Sequence, residues 1–526
     1  MNFKLLTCRL SVSPQLEPQD IAAVAAAGFR AIICNRPDGE GGDQPDAAEI
    51  QAAAASAGLG FAYVPAVAGA LTDANADAMR AALGALPGPV LAYCRSGARA
   101  EQLARMAGAL DGAADNFDIL IIGGGSAGLA TAASILRRRR NIRLAIVEPA
   151  EAHYYQPGWT MVGAGIFDSA FTRRNEAAVM PKGAHWIRAA AEHFHPEDKQ
   201  VTLSDGRRIG YAVLVVCPGI KLDWKAIPGV AEAVGHYGVT SNYRYDLAPY
   251  TNRLVKQFAG GRALFTQPVM PIKCAGAPQK AMYLSCYRWE KSGVLPRSDV
   301  QFHTAGAVLF GVPAYVPALM DYVERYGIHL NFGSKLVEID GPARTAIFEQ
   351  STGDGVKRVA ERFDMIHVVP PQVAPDFIRT SPLAAASGFV EVDETTLRHP
   401  RYPNIFALGD ACAASNAKTA AAARKQAPVV AVNALAALDG EAPVAGYDGY
   451  GSCPLTVEAG KIVLAEFGYG GKLLPSFHNW LIDGTRPSRL SWLLKDTILP
   501  PVYWHGMLKG REWMVKPEPI GRSEQA

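Results

Sequence analysis

Short apolar runs and longer stretches of small residues alternate along this chain, separated by glycine, proline and charged residues. Ala31-Ile-Ile-Cys34 and Pro89-Val-Leu-Ala-Tyr93 are unbroken apolar runs, as expected of parallel strands buried on both faces, and alanine-rich stretches at 22–27 and 47–57 read as helices beside them. Residues 1–111 therefore predict a small α/β sandwich. A polar stretch, Leu110-Asp-Gly-Ala-Ala-Asp-Asn116, follows, and 112–116 is read as a linker. The pattern then restarts. The strand Phe117-Asp-Ile-Leu-Ile-Ile122 runs into glycines and a small-residue helix, a second strand spans 142–148, and further strands are expected at 262–266 and 402–408. Residues 117–526 thus predict two interleaved Rossmann-like domains, the second at roughly 240–365. The last periodic stretch, roughly 486–515, splits into two amphipathic helical pieces at Pro500-Pro501.

Composition narrows the class. With 526 residues, 49% of them hydrophobic, the chain can bury several cores and is not disordered. A net charge of +3 is too small for a general nucleic-acid binder. Eight cysteines without a CxxC pair or zinc spacing do not make a disulfide scaffold, and eleven histidines without a close cluster predict no metal site. There is no run of about 18 apolar residues, and residues 1–13 lack a signal segment, so the expected location is peripheral, on the cytoplasmic side of the cell membrane. Attachment is expected through the C-terminal segment, where Trp492, Trp504 and Trp513 are interleaved with Lys495, Lys509 and Arg511, a mixture suited to lipid headgroups.

Candidate chemistry begins at Gly123-Gly-Gly125-Ser126-Ala-Gly128, between strand and helix, a dinucleotide-binding turn. Gly123 permits the turn, Gly125 lets the backbone approach a pyrophosphate, Gly128 lets the helix pack closely, and the N–H groups of the helix opened by Ser126 favour the anion. Glu148 ends the second strand, placed to accept hydrogen bonds from a ribose. In 1–111 the chemistry lies at Cys94-Arg-Ser-Gly-Ala-Arg99, where a thiol at a helix N-terminus, ringed by backbone N–H groups and arginines, is expected to have a lowered pKa and to be nucleophilic. This loop resembles those of rhodaneses and of cysteine phosphatases. It spans six residues from Cys94 to Arg99, shorter than a phosphatase loop, which suits sulfur better than phosphate. With Asn35-Arg-Pro-Asp-Gly-Glu40 and Val67-Ala-Gly-Ala-Leu-Thr-Asp73, the whole domain resembles the small phosphatase-like sulfurtransferase domain fused to persulfide-processing enzymes. Sulfur transfer, phosphatase chemistry with Asp73 as general acid, and an idle docking module all stay open for it.

In the second Rossmann-like domain, Arg262-Ala-Leu-Phe-Thr266 is not followed by another Gly-x-Gly-x-x-Gly turn. The chain instead reads Gln267-Pro-Val-Met-Pro-Ile-Lys-Cys274, so a nicotinamide site is expected to be lost. It returns at Tyr402-Pro-Asn-Ile-Phe-Ala-Leu-Gly409-Asp410, with Cys412 two residues on and a helix starting at Lys418. Cys274 and Cys412 are expected to reach one cleft.

Five stretches together resemble the sulfide:quinone oxidoreductases, of the type related to the mitochondrial enzyme. They are Glu148-Pro-Ala-Glu-Ala-His-Tyr-Tyr-Gln156, Val216-Cys-Pro-Gly219-Ile-Lys, Lys273-Cys-Ala-Gly-Ala-Pro-Gln-Lys280, Lys418-Thr-Ala-Ala-Ala and Tyr447-Asp-Gly-Tyr-Gly-Ser-Cys-Pro-Leu455. The resemblance implies a flavin disulfide-reductase fold with FAD as cofactor, held by Gly123, Gly125, Ser126, Gly128, Glu148, Gln156, Gly219 and Lys418, and with Asp410 on the ribityl chain. It implies Cys274 and Cys412 as the redox-active cysteines. Cys217 reads as a structural thiol.

The implied reaction starts when hydrosulfide attacks a sulfur bridge, either a disulfide or one with an extra sulfur. One cysteine becomes a persulfide, and the other becomes a thiolate that passes two electrons to flavin, and so to ubiquinone or another membrane quinone. A small thiol or sulfite takes the sulfur. The attacked cysteine stays open, the resemblance pointing to Cys274 as the persulfide exit; a homo-oligomer stays open too. The competing expectation is a type II NADH:quinone dehydrogenase fused to a cysteine phosphatase, against which stand the missing second glycine turn and the two cysteines.

Overall fold

The computed structural model describes residues 3–7, 10–42, 44–109, 116–353 and 355–520; all of the expected linker except Asn116 lies outside the described residues. The chain divides into two compact units. The first takes residues 1–120 with 139–145 and 195–213. Its elements are β1 (Lys4–Thr7), β2 (Leu10–Ser13), α1 (Ile21–Ala26), β3 (Ala31–Cys34), α2 (Ala47–Ser56), β4 (Gly60–Tyr63), α3 (Asp73–Ala85), β5 (Val90–Tyr93) and α4 (Ala98–Met106).

The sheet runs β1-β2-β5-β3-β4, parallel from β2 to β4 and closed at one edge by antiparallel β1. Successive residues of a strand point to opposite faces, and two cores result. Ala31, Ile33, Val90 and Ala92 pack with Met79 of α3 and Leu103 of α4, while Ile32, Cys34, Leu91 and Tyr93 pack with Ile21 of α1 and Ile50 of α2. Helices on both faces explain why β3 and β5 are apolar at every position rather than at alternate ones.

The second unit takes residues 121–138, 146–194 and 214–526. In order, its framework is β6 (Asn116–Ile122), α5 (Ser126–Arg138), β7 (Leu144–Val147), β8 (Arg208–Val216), β9 (Val239–Thr240), β10 (Gly261–Gln267), α6 (Ala277–Lys291), β11 (Ser298–Thr304), β12 (His329–Phe332), β13 (Met365–His367), β14 (Ile405–Ala407), α7 (Ala420–Leu438), β15 (Gly451–Glu458) and β16 (Lys461–Phe467). Strands β6, β7 and β8 begin in the first unit, and their carboxyl ends lie in the second. There the Gly123 N–H donates to Val147 O at 2.9 Å and the Cys217 N–H to Ile122 O at 2.8 Å, while β8 runs parallel to β14 with Val216 opposite Ala407. The loops leaving these strand ends therefore share one edge, where α/β sheets hold ligands.

A second sheet, β9-β13-β10-β11-β12, is parallel throughout. The hairpin β15-β16 is antiparallel and packs against α6, and α7 packs against α5.

The C-terminal stretch stays helical where a break at Pro500-Pro501 was expected. Arg489–Leu493 is α-helical, Leu494–Ile498 and Val502–Gly506 are π-helical turns around Leu499–Pro501, and Met507–Lys509 closes the run as a 3₁₀ turn. The wider turns displace the hydrogen-bond ladder around the N–H groups that the two prolines lack, so the chain passes through unbroken. Gly510 (φ 66°) then brings it against α5, where a Cβ would lie 2.6 Å from the Ala133 carbonyl carbon. No helix among the described residues is long and apolar enough to cross a membrane.

Candidate active site

A cavity of about 730 Å³ opens in the second unit. Its wall includes Gly125 and Ser126 after β6, Asp410 after β14, Lys418 before α7, Cys274 before α6 and Lys495 from the C-terminal helix. Two glycines shape its first part. A Cβ at Gly123 (φ 106°) would lie 2.6 Å from Cys217 O, and one at Gly128 would lie 1.9 Å from Gly123 O. Glu148 accepts from the N–H groups of Gly124 and Ala150, both at 2.7 Å, and burial raises its carboxyl above the usual range. The Ser126 hydroxyl lies 2.6 Å from Tyr503 Oη, which is 2.5 Å from His153 Nε2. Gln156 accepts from Lys273 Nζ at 2.7 Å, and Gly219 (φ 84°) borders open space. The buried Cys217 sulfur lies 3.8 Å from Gly123 O, and burial pushes its thiol up.

Cys274 sits in the loop between β10 and α6 with φ 52°, a left-handed backbone that non-glycine residues seldom adopt. Its N–H donates to Lys418 O at 2.8 Å, and its carbonyl accepts from Tyr243 Oη at 3.2 Å. The sulfur against it is that of Cys453, at 3.8 Å. Cys453 and Leu455 lie two residues apart on β15, so they share a face. Gly276 leaves room for both: a Cβ there would lie 2.5 Å from Cys453 Sγ and 2.3 Å from Leu455 Cδ2. Lys280, in the first turn of α6, donates to Cys274 Sγ at 3.1 Å and lies 4.0 Å from Cys453 Sγ.

The hydrogen bond from Cys453, joined by the Lys280 charge and opposed by burial, holds the Cys274 thiol well below its ordinary range. Donating that bond, together with burial, holds Cys453 well above it. The two thiols act on each other, and the Lys280 ammonium lies nearer Cys274 than Cys453. Lys495, 4% exposed, faces the same groups, and burial together with Lys280 pushes its ammonium down to about 7.

Cys412 is not the sulfur beside Cys274, and the expected pairing is corrected here. The 3₁₀ turn Gly409–Ala411 folds the Cys412 side chain back, so that its Sγ donates to Gly409 O at 3.3 Å, fully buried, and burial raises its thiol. Its carbonyl is what serves the site: Lys418 Nζ donates to Cys412 O at 2.8 Å and to Asp410 O at 2.9 Å. Burial raises the Asp410 carboxyl, with Lys418 and Lys273 opposing. The sequence reading chose Cys412 because it stands beside Asp410. Cys453 lay inside one of the motifs that carried the resemblance, and the alternation Cys453-Pro-Leu455 was the available signal for an inward sulfur.

In the first unit Cys94, 1% exposed, follows β5 and accepts from the Gly97 N–H at 3.2 Å. Gly97 caps α4 with φ 89°. Arg99 is engaged by Ala66 O at 2.7 Å, Asn35 O at 3.3 Å and Glu40 Oε1 at 2.7 Å. Glu40 Oε2 accepts in turn from Arg36 Nε at 2.9 Å. Asp73 is exposed at the first residue of α3.

Residues 2–111 match the family model described as Beta-lactamase hydrolase-like protein, phosphatase-like domain, and residues 117–255 match Pyridine nucleotide-disulphide oxidoreductase. The chain is 42% identical over 401 residues to the mitochondrial sulfide:quinone oxidoreductase of Dictyostelium discoideum, covering 76% of this chain and 87% of that protein. It is 36% identical to the Mus musculus protein of the same name, over 77% and 89%. The chain belongs to the sulfide:quinone oxidoreductase family. The Aquifex aeolicus sulfide:quinone oxidoreductase structure shares its fold, with a TM-score of 0.65 at 18% identity over 78% of this chain and 98% of that one. The N-terminal part is 36% identical over 115 residues to a Beta-lactamase hydrolase-like protein of Xylella fastidiosa, 22% of this chain and 27% of that protein.

The cofactor of this sulfide:quinone oxidoreductase-family flavoprotein is FAD. The residues present fit it: Gly125 and Gly219 leave open space toward the cavity, and the buried Trp159 Nε1, Thr160 Oγ1 and Asn242 Oδ1 on its wall have no hydrogen-bond partner among the described residues.

Proposed function

We propose that the second unit oxidises sulfide and passes the electrons to quinone, with Cys274 and Cys453 as its redox-active pair. The observation that carries this reading is the 3.8 Å approach of the two sulfurs beside Lys280. In the oxidised enzyme they are joined directly or through one extra sulfur. Hydrosulfide attacks the Cys453 sulfur, the bond from that sulfur to the rest of the bridge breaks, a persulfide forms on Cys453, and the other half leaves on Cys274, as a thiolate from a direct bridge or as a persulfide anion from one with the extra sulfur. The direction follows from the Lys280 ammonium, 3.1 Å from Cys274 Sγ against 4.0 Å from Cys453 Sγ, since the sulfur whose negative charge is better held leaves faster. It reverses the expectation that Cys274 is the persulfide exit. Lys280 steadies the departing anion. FAD, when bound, supplies a two-electron acceptor. A small thiol or sulfite then removes the outer sulfur from Cys453.

Quinone as the final acceptor is supported by apolar side chains on the cavity wall, among them Leu473, Leu474, Phe477, Ile498 and Trp513. Peripheral attachment to a membrane is supported by exposed apolar side chains: Trp480 at 83%, Trp513 at 61%, and Leu490 and Leu493 at nearly half. The interface differs from the expected one, because Trp504 and Lys495 face inward, 2% and 4% exposed. Trp504 instead packs under the Arg174 guanidinium, 4.3 Å from its ring centroid.

In the first unit we read Cys94 as a sulfur-accepting thiol. The short loop and the Gly97 N–H on its sulfur support this. Arg99, already matched to Glu40, is poorly placed to take a phosphate dianion as well.

The test is anaerobic mixing of the holoenzyme with sulfide and, separately, with NADH while the flavin band is followed. Bleaching by sulfide alone, abolished by Cys274→Ala and by Cys453→Ala, is the expected result. Bleaching by NADH with both thiols dispensable makes the protein a nicotinamide-fed quinone reductase instead.

A further inference from the structure

We propose that FAD binding draws one proton onto the buried pair His153 and Glu176, and that a line of hydrogen bonds through Tyr503 and Ser126 carries its effect to the cofactor's diphosphate. This linkage belongs to cofactor binding alone and holds whatever the enzyme oxidises. It needs only that the diphosphate meets the start of α5 at the dinucleotide turn.

The line is continuous. Ser126 opens α5 half-buried on the cavity wall, with its Oγ 2.6 Å from Tyr503 Oη, a second group of that wall. Tyr503 Oη lies 2.5 Å from His153 Nε2, and His153 Nδ1 lies 3.3 Å from Glu176 Oε2. His153, Glu176 and Tyr503 are 4%, 1% and 4% exposed, so their hydrogen bonds are settled among themselves. The other Glu176 oxygen lies against Gly124 and has no partner among the described residues.

The remaining groups around His153 do not supply the missing hydrogen. Arg174, opposite His153 in the hairpin of Ala152–Tyr154 with Arg173–Asn175, is exposed and stacked on Trp504. Glu148, just past β7, is a second carboxyl acting on the pair, raised by burial and by Glu176. Burial pushes the Tyr155 and Tyr503 phenols up, so both stay protonated.

Counting donors places the proton. A hydroxyl has one hydrogen to give, and so has a neutral imidazole. With Glu176 a carboxylate and His153 neutral, Nδ1 donates to Glu176, Nε2 accepts from Tyr503, and Tyr503 accepts from Ser126. The Ser126 oxygen then shows the cavity only lone pairs, the wrong polarity for a phosphate oxygen. For Ser126 to donate to phosphate, Tyr503 must donate to Ser126 and Nε2 must donate to Tyr503. Nδ1 and Glu176 then need a hydrogen between them, on the ring or on the carboxyl, so the pair holds one proton more than before. It comes from solvent, and the anionic diphosphate at the far end of the line holds it in place. FAD affinity is therefore full at low pH, where the free protein carries the proton too. It falls as pH rises through the range in which only the loaded protein keeps it.

The experiment dilutes holoenzyme and follows released flavin by its fluorescence, giving the FAD dissociation constant from about pH 5 to about pH 9, the span in which histidine titrates in proteins. Wild type is expected to weaken by about tenfold per pH unit over part of that span, the slope for one proton. Tyr503→Phe keeps the ring and cuts the line, and His153→Gln offers Tyr503 an amide N–H that cannot gain a proton. Both are expected to be flat. A slope that persists in Tyr503→Phe overturns the proposal, because Glu148 or another group is then its source, and so does a wild type without a slope. If either variant is purified without flavin, the other carries the test. In wild type alone, a pH indicator in weak buffer is expected to register close to one proton released with each FAD at mid-span, and none released overturns the proposal whatever the variants do.

Discussion

Cys94 and Cys274 occupy the same kind of place, each after a parallel strand and ahead of a helix: Cys94 between β5 and α4, Cys274 between β10 and α6. Their partners differ. The Cys94 sulfur meets a backbone N–H three residues along its own loop, whereas the Cys274 sulfur meets an ammonium and a second sulfur 179 residues away. A helix N-terminus offers any thiol some stabilisation of its anion. What separates the sites is the long-range partner, which turns a nucleophile into a two-electron couple.

The sharpest way to break that comparison is to remove the partner. Cys453→Ser is expected to slow sulfide-dependent flavin bleaching by at least about 1,000-fold, as loss of one member of a cooperating catalytic group does. Cys412→Ser, changing a sulfur that donates to Gly409 O, should leave the rate within about threefold. Equal losses in the two variants would return Cys412 to the site.

A second way is to remove the ammonium. In the fold the Cys274 thiol titrates below its ordinary range, so its thiolate persists as pH falls through the range where an ordinary thiol has already taken up its proton. Lys280→Met removes one of the groups that lower it, so the reduced variant should react with iodoacetamide about 10- to 100-fold more slowly on the acidic side of neutrality and converge with wild type at alkaline pH. A rate unchanged across that range would mean that the acidity is set without Lys280.

What was legible in the sequence follows the same division between local and distant. The dinucleotide turn could be read because its Gly-x-Gly-x-x-Gly spacing is itself local, with a Cβ at Gly128 meeting Gly123 O, even though the atom against Gly123 is Cys217 O, 94 residues on; the missing second glycine turn could be read for the same reason. The Cys94 loop was local too. Cys453 was not, since a strand residue shows its partner only once its sheet is placed against another element. The C-terminal helix misled for a related reason: Trp504 and Lys495 have the composition of a membrane face, and only packing against Tyr155 and His153, or facing Lys280, reveals them as interior. Nor does any local rule anticipate two π-helical turns flanking a Pro-Pro pair.

Gly276 sharpens the comparison on the side of packing. An alanine methyl there meets both Cys453 Sγ and Leu455 Cδ2 at well under contact distance, so β15 or the Cys274 loop must shift. Overpacking of this kind costs about 1–3 kcal/mol. Gly276→Ala should lower the melting temperature by a few degrees and, by separating the sulfurs, slow bleaching more than that loss of stability accounts for. Gly97→Ala is the counterpart in the first unit. There the added methyl meets Ser13 O at 3.2 Å, and the strain comes from φ 89° rather than from a crowded partner.

The smallest expected effect tests whether the Cys94 site is held back by its own ion pair. Glu40 binds Arg99 through one oxygen and Arg36 through the other, so both guanidinium groups are matched before any anion arrives. Glu40→Gln keeps the shape but removes the charge. Burial leaves Arg99 largely shielded from solvent, so an incoming anion then gains the attraction that the carboxylate had used. For thiosulfate:cyanide sulfur transfer this predicts a KM lowered by about two- to fivefold with kcat little changed, while Cys94→Ser abolishes the activity and leaves flavin bleaching by sulfide intact. If Glu40→Gln instead raises KM, the carboxylate is needed to hold Arg99 in place, and the loop depends on its ion pair as the other site depends on its second sulfur.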